Sequence, residues 1–506
     1  MSNDSSNAGT PDTGWQATLD DLERRRAASR AMGGPDRLAR HRAKGKLDAR
    51  ERIDVLVDQG SFREFGTLVG GEIAADGIIA GAGAIDGRLV MVGAEDFTTL
   101  GGSIGSGSNS KRYRLAELAL RQRVPLIMLL EGAGYRAWAG GHGRTPVDLT
   151  LQARCSGVVP VVTGVLGSSA GHGALVAPLS DFCVMTEQAA IFAAGPPVVK
   201  ESIGEDVSKE DLGGPSVAVT SGLVHNACAD DVDALGQIRS YLSYFPSSAW
   251  SYPPDYEADQ YSGGRPTPEL LEIVPRDNRQ VYDMRHVIDV VFDTPDWFEV
   301  QPTFGRAIIC ALAHLGGHPV AVIANQPMVA AGAIDSDAAD KAARFISIAD
   351  AFHLPLVFLS DNPGMLPGRR SELAGILRSG GRMFAAQTLA STVKVHVTLR
   401  KAYGFGSMVM AMPGFENQVA TFAYPGATLG AMGASAHSSA LGAQEDLAAS
   451  LREAELMASY SAAESLGFDE LIDPRETRDS LLEALERGLH ARQQVAEPVQ
   501  RTAVTP

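Results

Sequence analysis

The chain carries the same unit twice. Shifting the sequence by 230 positions (341 − 111 = 230) lays Lys111-Arg112-Tyr113-Arg114 through Gly134 over Lys341 through Gly364 without a gap. Lys111 meets Lys341, Arg114 meets Arg344, Ala119 meets Ala349, Glu131 meets Asp361 and Gly134 meets Gly364. Further on, at an offset of 233 (404 − 171 = 233), Gly171-His172-Gly173-Ala174 meets Gly404-Phe405-Gly406-Ser407. A chain built this way folds into two related halves, each with its own Gly-rich turn. Two pockets of main-chain donors suit a reaction that must polarise two different carbonyls.

The repeat also sets the fold class. Val124 to Leu130 is a continuous apolar run, as is Val158 to Val165, and such runs fit strands buried on both faces. The segment Lys111–Arg123 has the apolar spacing of a helix, and residues 16–58 look helical with charge throughout. Short apolar runs broken by Gly and Asp from Ile78 to Val92 predict strands and tight turns. Helix and buried strand alternate, so the class is α/β with parallel connections. Length and repeat together give a polar, disordered tail over 1–15, an N-terminal domain over 16–250, a Pro-, Tyr- and Gly-rich linker over 251–275 and a C-terminal domain over 276–506. The stretch after Gln444 is expected to be helical, with breaks at Gly467 and Pro474.

Composition excludes several classes. A net charge of −16 argues against nucleic acid as a partner. The four cysteines are far apart with no CxxC pair, which argues for buried free thiols rather than a disulfide frame or zinc site. The start has no basic segment followed by an apolar core, so a cytoplasmic protein is expected. Gly157 to Pro178 is uncharged but holds Pro160, His172 and several glycines, and reads as a strand and turn rather than a membrane span.

In both copies a Gly-X-Gly turn follows a buried strand. If a helix begins there, its free N–H groups add positive potential, and the pocket can stabilise a negative oxygen. Tight packing turns use the same glycines, so spacing alone leaves the structural alternative open. Gly101 to Gly107 lacks the spacing of a dinucleotide fold, and there is no phosphate-loop signature. Gly101 to Gly105 fits the letters of GxSxG but follows a polar stretch, not a buried strand. His172 reads either as a proton donor or ligand contact beside the pocket, or, more commonly for such a turn, as a residue giving only its backbone N–H. Glu131 and Asp361 each end a buried strand; their equivalence favours turn-fixing acceptors over general bases. With no obvious side-chain base, the substrates are expected to carry their own.

At these residues the chain resembles the carboxyltransferase β subunits of biotin-dependent acyl-CoA carboxylases, the propionyl-CoA and methylcrotonyl-CoA carboxylase group. The densest match is Gly195-Pro196-Pro197-Val198-Val199-Lys200 through Gly214, then Thr220-Ser221-Gly222 and His225. GKLDARERID (45–54), YDMRHVI (282–288), Asn325-Gln326-Pro327, Asp361 through Gly368, Arg400-Lys401-Ala402-Tyr403-Gly404 and Ile472 through Arg478 follow in the family's order. The resemblance implies two tandem crotonase-like domains, a hexamer built as a dimer of trimers, and an active site between the N-terminal domain of one chain and the C-terminal domain of another. It implies acyl-CoA on the first domain and carboxybiotin on the second. His172 and Gly173, with Ala174 beside them, would hold the thioester enolate; Phe405 and Gly406, with Ser407, would hold biotin. Gly171, Gly134, Tyr135, Arg136, Gly404, Tyr403 and Met408 would line the two ligands. Biotin would arrive on a separate carrier charged by a biotin carboxylase α subunit, since the chain has no AMKM-like attachment site and no ATP-grasp signature. No bound metal is expected.

The chain departs from the family at both turns. Typical members read GGA where this chain has Gly171-His172-Gly173 and Gly404-Phe405-Gly406, and position 408, acidic in many propionyl-type members, is Met408. The resemblance therefore leaves the acyl group open, and Tyr135, Phe405 and Met408 are expected to line an apolar pocket for a branched or longer chain. Two alternatives stand beside carboxylation: a biotin-linked decarboxylase subunit, and a non-catalytic paralogue scaffolding a mixed hexamer with a typical β chain. A hydratase is less favoured because no acid pair sits at the first turn.

Overall fold

The computed structural model describes residues 14–136, 147–256, 263–293, 297–412, 414–442, 445–493 and 495–499. Three helices lead in: α1 (Gln16–Arg30), α2 (Pro35–Arg42) and α3 (Ala49–Leu56). The sequence starts α3 with a capping box, in which Asp48 accepts from the Glu51 amide and Glu51 returns a bond to the Asp48 amide. The first half continues with β1 (Arg63–Glu64), β2 (Ile78–Ile85), β3 (Arg88–Glu95), α4 (Ser106–Gln122), β4 (Leu126–Leu130), α5 (Asp148–Cys155), β5 (Val161–Val165) and β6 (Ser168–Ala170). Then come β7 (Phe182–Thr186), β8 (Ala190–Phe192), α6 (Pro196–Ile203), α7 (Lys209–Gly213), α8 (Pro215–Thr220), β9 (Asn226–Cys228) and α9 (Asp231–Ser243).

The second half repeats the plan. It holds α10 (Leu270–Ile273), α11 (Met284–Val291), β10 (Phe298–Val300), β11 (Ile308–Leu315), β12 (His318–Asn325), α12 (Ser336–Ala351), β13 (Leu356–Asn362), α13 (Arg369–Ala374) and α14 (Ile376–Leu389). It closes with β14 (Lys394–Tyr403), α15 (Gly404–Val409), β15 (Gln418–Ala423), β16 (Thr428–Gly430), α16 (Ala434–Leu441), α17 (Glu445–Leu456), α18 (Ala458–Glu464), β17 (Glu470–Leu471) and α19 (Thr477–His490).

The duplication holds at the level of single pairs. Met91 lies opposite Leu126 and Ala321 opposite Leu356, both partners shifted by 230. The isolated bridges Ile104–Tyr135 and Ile334–Met365 keep the same shift. Each sheet opens with an antiparallel hairpin, β2–β3 or β11–β12, and continues in parallel. The strand orders are β1-β2-β3-β4-β5-β7-β9 and β10-β11-β12-β13-β14-β15-β17. One difference separates them. β14 runs unbroken for ten residues and pairs with both β15 and β16, whereas its counterpart breaks into β5 and β6, and β6 pairs with β8 apart from the main sheet. The break falls at Gly167, where a Cβ would stand 2.2 Å from the Glu131 carboxylate.

The halves share one apolar core. Phe182 stacks on Tyr241 at 4.6 Å and meets Phe298 of the second half edge-on at 5.4 Å. Arg344 donates to the Ser180 carbonyl, and His353 Nε2 lies 2.8 Å from the Ala249 carbonyl. The described part of segment 251–275 is packed rather than free: Tyr252 meets the His353 ring and lies under the Arg492 guanidinium. The four cysteines are buried and free, and burial pushes their thiols up to about 12. Among the described residues no helix is long and apolar enough to cross a membrane.

Each copy has a strained turn at the same place. Leu100, Gly101 and Gly102 have φ of 50°, 62° and 62°, and Ala330, Ala331 and Gly332 have 47°, 55° and 86°. The left-handed region costs a residue with a side chain roughly 1 kcal/mol or more. The turns persist because of what they support. A Cβ on Gly102 would stand 2.4 Å from the Glu131 carbonyl oxygen, and one on Gly332 would stand 2.3 Å from that of Asp361. These turns brace the loops that follow β4 and β13.

Candidate active site

Those loops frame the two Gly-X-Gly turns. Gly171 has φ of 55° and Gly404 has 54°, so the repeat conserves the backbone at this point although the residues that follow differ. In the first half the Ala170 amide donates to the Gly132 carbonyl at 3.1 Å, tying the turn to the loop after β4. In the second, Asn362 Oδ1 accepts from the Gly364 amide at 3.0 Å and would lie 2.4 Å from a Cβ on Gly406. Among the described residues, the amides of His172, Gly173, Ala174, Phe405 and Gly406 have no hydrogen-bond acceptor. Unbonded amides clustered at a turn are what an oxyanion needs. A helix does not follow as simply as expected. A single 3-10 turn (Ala174–Val176) follows the first site and the six-residue α15 follows the second. Such short helices sum little macrodipole, so the amides themselves carry the electrostatics.

The other expected residues fall into place around them. Ser407 Oγ donates to the Gly404 carbonyl at 2.7 Å and closes the second turn. The buried Tyr403 hydroxyl donates to the Glu455 carboxylate, which also accepts from the Ala434 amide at 2.9 Å. Burial and that carboxylate push the Tyr403 phenol up. Tyr135 meets the His172 ring edge-on at 5.9 Å, while Phe405 packs near Phe384 and Met408 is partly exposed. Tyr135 thus stands on the first half, beside His172, and Phe405 and Met408 on the second. Gly134 ties its loop down, its carbonyl accepting from the Ile104 amide at 2.8 Å. Arg136 is buried, its guanidinium 2.7 Å from Asp76 and 2.8 Å from the Ser103 carbonyl; it fixes this loop rather than offering a free cation.

Glu131 and Asp361 are ion-pair anchors in both copies. Glu131 forms an ion pair with Arg52 at 2.6 Å and accepts a hydrogen bond from Lys46 at 2.9 Å; Asp361 accepts from Arg400 at 2.7 Å and the Tyr282 hydroxyl at 2.8 Å and forms an ion pair with Lys401 at 3.0 Å. Burial opposes ionisation of Glu131, but Arg52 and Lys46 outweigh it and hold the carboxyl below its usual range. Neither carboxylate is free to act as a general base.

His172 is not a bystander. Its Nε2 lies 2.5 Å from Oδ1 of the fully buried Asp148. Asp148 Oδ2 accepts from Arg112 Nε at 2.7 Å and from Gln152 at 2.8 Å. Arg112 reaches on to Glu95 at 2.6 Å, and Glu95 accepts the Glu131 amide at 2.8 Å. Glu95 Oε1 also lies 3.3 Å from the place of a Cβ on Gly173, directly behind the turn.

A second feature lies outside the sequence reading. Arg37, Arg40, His41 and Lys44 line a cavity of about 540 Å3 with Phe97, Thr98, Leu100 and Gly101. The cavity wall reaches the site, because the Gly101 carbonyl accepts from the Ala133 amide at 2.9 Å. The signal was available: four basic side chains at i, i+3, i+4 and i+7 form one face of α2 and its extension.

Residues 40–502 match the carboxyl transferase domain. The chain belongs to that family. Its relatives include the propionyl-CoA carboxylase beta chain of Roseobacter denitrificans, 36% identical over 490 residues that cover 92% of this chain and 95% of the relative. The methylmalonyl-CoA carboxyltransferase 12S subunit of Propionibacterium freudenreichii subsp. shermanii is 34% identical over 509 residues, 94% of this chain and 95% of that subunit. A solved transcarboxylase 12S structure, described as a hexamer assembly with methylmalonyl-coenzyme A and methylmalonic acid bound, superposes with a TM-score of 0.88. It is 33% identical and covers 95% of this chain and 97% of that one. The carboxyltransferase accordingly has the two crotonase-like halves that the resemblance implied, and it is an enzyme of the biotin-dependent acyl-CoA carboxyltransferase type.

Proposed function

We propose that this carboxyltransferase moves a carboxyl group from carboxybiotin on a separate carrier to the α carbon of a short acyl-CoA of the propionyl class. One observation carries the reading: two turns, 233 positions apart and matched in φ, each present unbonded amides beside a braced loop. The first half, about residues 16–250, takes the acyl-CoA; the second, about 276–506, takes the biotin; 251–275 joins them. The amides of His172 and Gly173 hold the thioester oxygen as negative charge develops there, and those of Phe405 and Gly406 hold the ureido oxygen. Losing one such donor typically removes roughly 3 kcal/mol of transition-state stabilisation. When bound, carboxybiotin would supply the carboxyl group and, once decarboxylated, a basic ring nitrogen. The residues present fit that partner: Phe405 and Gly406 offer two donors, and the close approach of Asn362 leaves no room for a side chain at 406.

The cationic face of Arg37, Arg40 and Lys44 suits the phosphates of coenzyme A, next to the loop after β4. Exposed apolar side chains flank both halves, Val198 and Ile203 on α6 and Leu373 and Leu377 beside α13 and α14. Such surfaces support a site completed by a second copy, in a hexamer arranged as a dimer of trimers.

Affinity capture of the tagged chain from its host, probed for biotin, followed by carboxyl transfer with the captured carrier, tests the reading. A biotinylated partner and turnover of propionyl-CoA, in either direction, are expected. Capture of a second, typical β chain with no biotinylated partner would instead make this chain a scaffold.

A further inference from the structure

The acyl-side turn carries its own proton-transfer pair, and this inference rests on the acyl-CoA reading of that turn. Typical family members have glycine where this chain has His172, so the side chain at this point belongs to this chain. The Asp148 carboxyl is held below its usual range: burial opposes ionisation, and the bonds from His172 and Arg112 outweigh it. A carboxylate only accepts, so the His172 nitrogen 2.5 Å away, Nε2, must carry the proton. That fixes the tautomer and leaves Nδ1 as the other nitrogen, which has no hydrogen-bond partner among the described residues. Asp148 is fully buried while the His172 side chain is 18% exposed. The exposed share therefore lies away from the Asp148 contact.

Several described groups hold the pair in place. Asp148 is pinned by Arg112 on α4 and Gln152 on α5, and Arg112 by Glu95 at the end of β3. Tyr135, from the loop after β4, covers the imidazole edge-on. Arg136, in the described part of that loop, is turned to Asp76. A buried carboxylate orienting a partly exposed imidazole beside an oxyanion turn is the arrangement of a general acid–base.

The geometry points to His172 and Asp148 as a proton-transfer dyad that exchanges the α-proton of bound acyl-CoA without any biotin present. The C–H bond at the α carbon breaks, and its proton goes to the lone pair on His172 Nδ1. The bonding electrons move into the carbon–carbon bond and place negative charge on the thioester oxygen, held by the amides of His172 and Gly173. Return of a solvent-exchanged proton from Nδ1 restores the acyl-CoA, so nothing is consumed.

The test uses the whole purified chain with no carrier and propionyl-CoA in deuterated buffer. Calorimetry reads binding, and mass spectrometry reads deuterium at the α carbon. Wild type is expected to bind and exchange. His172→Ala is expected to lose at least about 100-fold in exchange with binding changed less than about 3-fold. If Asp148→Asn does not fold, His172→Gln serves instead: glutamine keeps a donor for Asp148 but has no basic nitrogen to take the proton. A structural role would be rescued by glutamine, and proton transfer would not. Binding without exchange, or exchange surviving in His172→Ala or His172→Gln, overturns the dyad while leaving the acyl-CoA reading intact. No binding at all overturns both.

Discussion

The ring of Phe405 sits in the space that a side chain at Gly380 would need. A Cβ on Gly380 would lie 3.0 Å from the Phe405 ring and 2.7 Å from the end of Met365. Glycine inside a helix costs roughly 1 kcal/mol against alanine, and α14 accepts that at Gly380. The enlarged residue in the second turn therefore has a socket on another element. Gly380→Val is expected to push Phe405 out of place and reduce carboxyl transfer from the carrier at least 10-fold, with acyl-CoA binding unchanged. Phe405→Ala in the same chain should restore part of the loss, because it empties the contested space. Steady-state transfer and calorimetric binding of the single and double variants check this; equal loss in both would refute the socket.

The basic face of α2 gives a separable prediction. Arg37→Glu and Lys44→Glu are each expected to raise KM for acyl-CoA by roughly fivefold while kcat stays nearly constant, because both are exposed charges that act by screened attraction. The effect should shrink as salt is raised from about 0.05 to 0.5 M, as the Debye length falls. A change confined to kcat, or one indifferent to salt, would remove these residues from the nucleotide end of the ligand.

Arg52 joins two buried carboxylates, Glu131 at 2.6 Å and Asp231 at 2.9 Å, and is itself only 1% exposed. Arg52→Met leaves Asp231 without its cation and Glu131 with Lys46 and the more distant His41. A loss of about 3–5 kcal/mol in stability is expected at neutral pH. The sign of its pH dependence follows from Glu131, whose folded carboxyl sits below its ordinary range. Such a group adds stability above the unfolded value near 4.5 and loses it as pH falls. The gap between variant and wild type should therefore narrow in acid. Denaturant unfolding at pH 7 and pH 4 measures it.

Asp181 makes the opposite prediction. It is buried, its Oδ2 accepts from the Val161 amide at 2.7 Å, and Oδ1 has no hydrogen-bond partner among the described residues. Burial pushes the carboxyl up to about 7 from 3.8. Between those values the folded state binds more protons than the unfolded one, so stability falls as pH rises from about 4 to 7. Three units correspond to a penalty on the order of 4 kcal/mol, fully present above pH 7. Asp181→Asn should be more stable than wild type at pH 8 and match it near pH 4, read by denaturant midpoints. A constant difference across that range would mean the aspartate ionises normally.

Much of the fold was legible because duplication is a statement about order along the chain. The 230-residue shift recurs in strand register, in the isolated bridges and in the strained turns, since each copy repeats one local pattern of apolar runs and breaks. The two Gly-X-Gly turns were legible for the same reason, and their matched φ follows from it. The partners of the side chains were not. Asp148 lies 24 positions before His172, Asp76 lies 60 before Arg136, and Glu455 lies 52 after Tyr403. No periodicity links such pairs. The basic face of α2 could have been found from spacing, but its cavity is closed by Phe97 and Leu100, which only folding brings near.

The sequence by itself determined the α/β alternation, the doubling, the place of both turns and the family. Those depend on hydrophobic period and on glycine at fixed positions, and both are local. The tertiary structure decided what each side chain does: that Arg136 is locked to Asp76, that Glu131 and Asp361 are neutralised anchors, that Gly380 makes room for Phe405, and that His172 is oriented by Asp148. The reason is that a charge or a ring acquires its role from the groups that replace water around it. Those groups come from helices and strands far apart in the chain, and only packing sets them at hydrogen-bond distance.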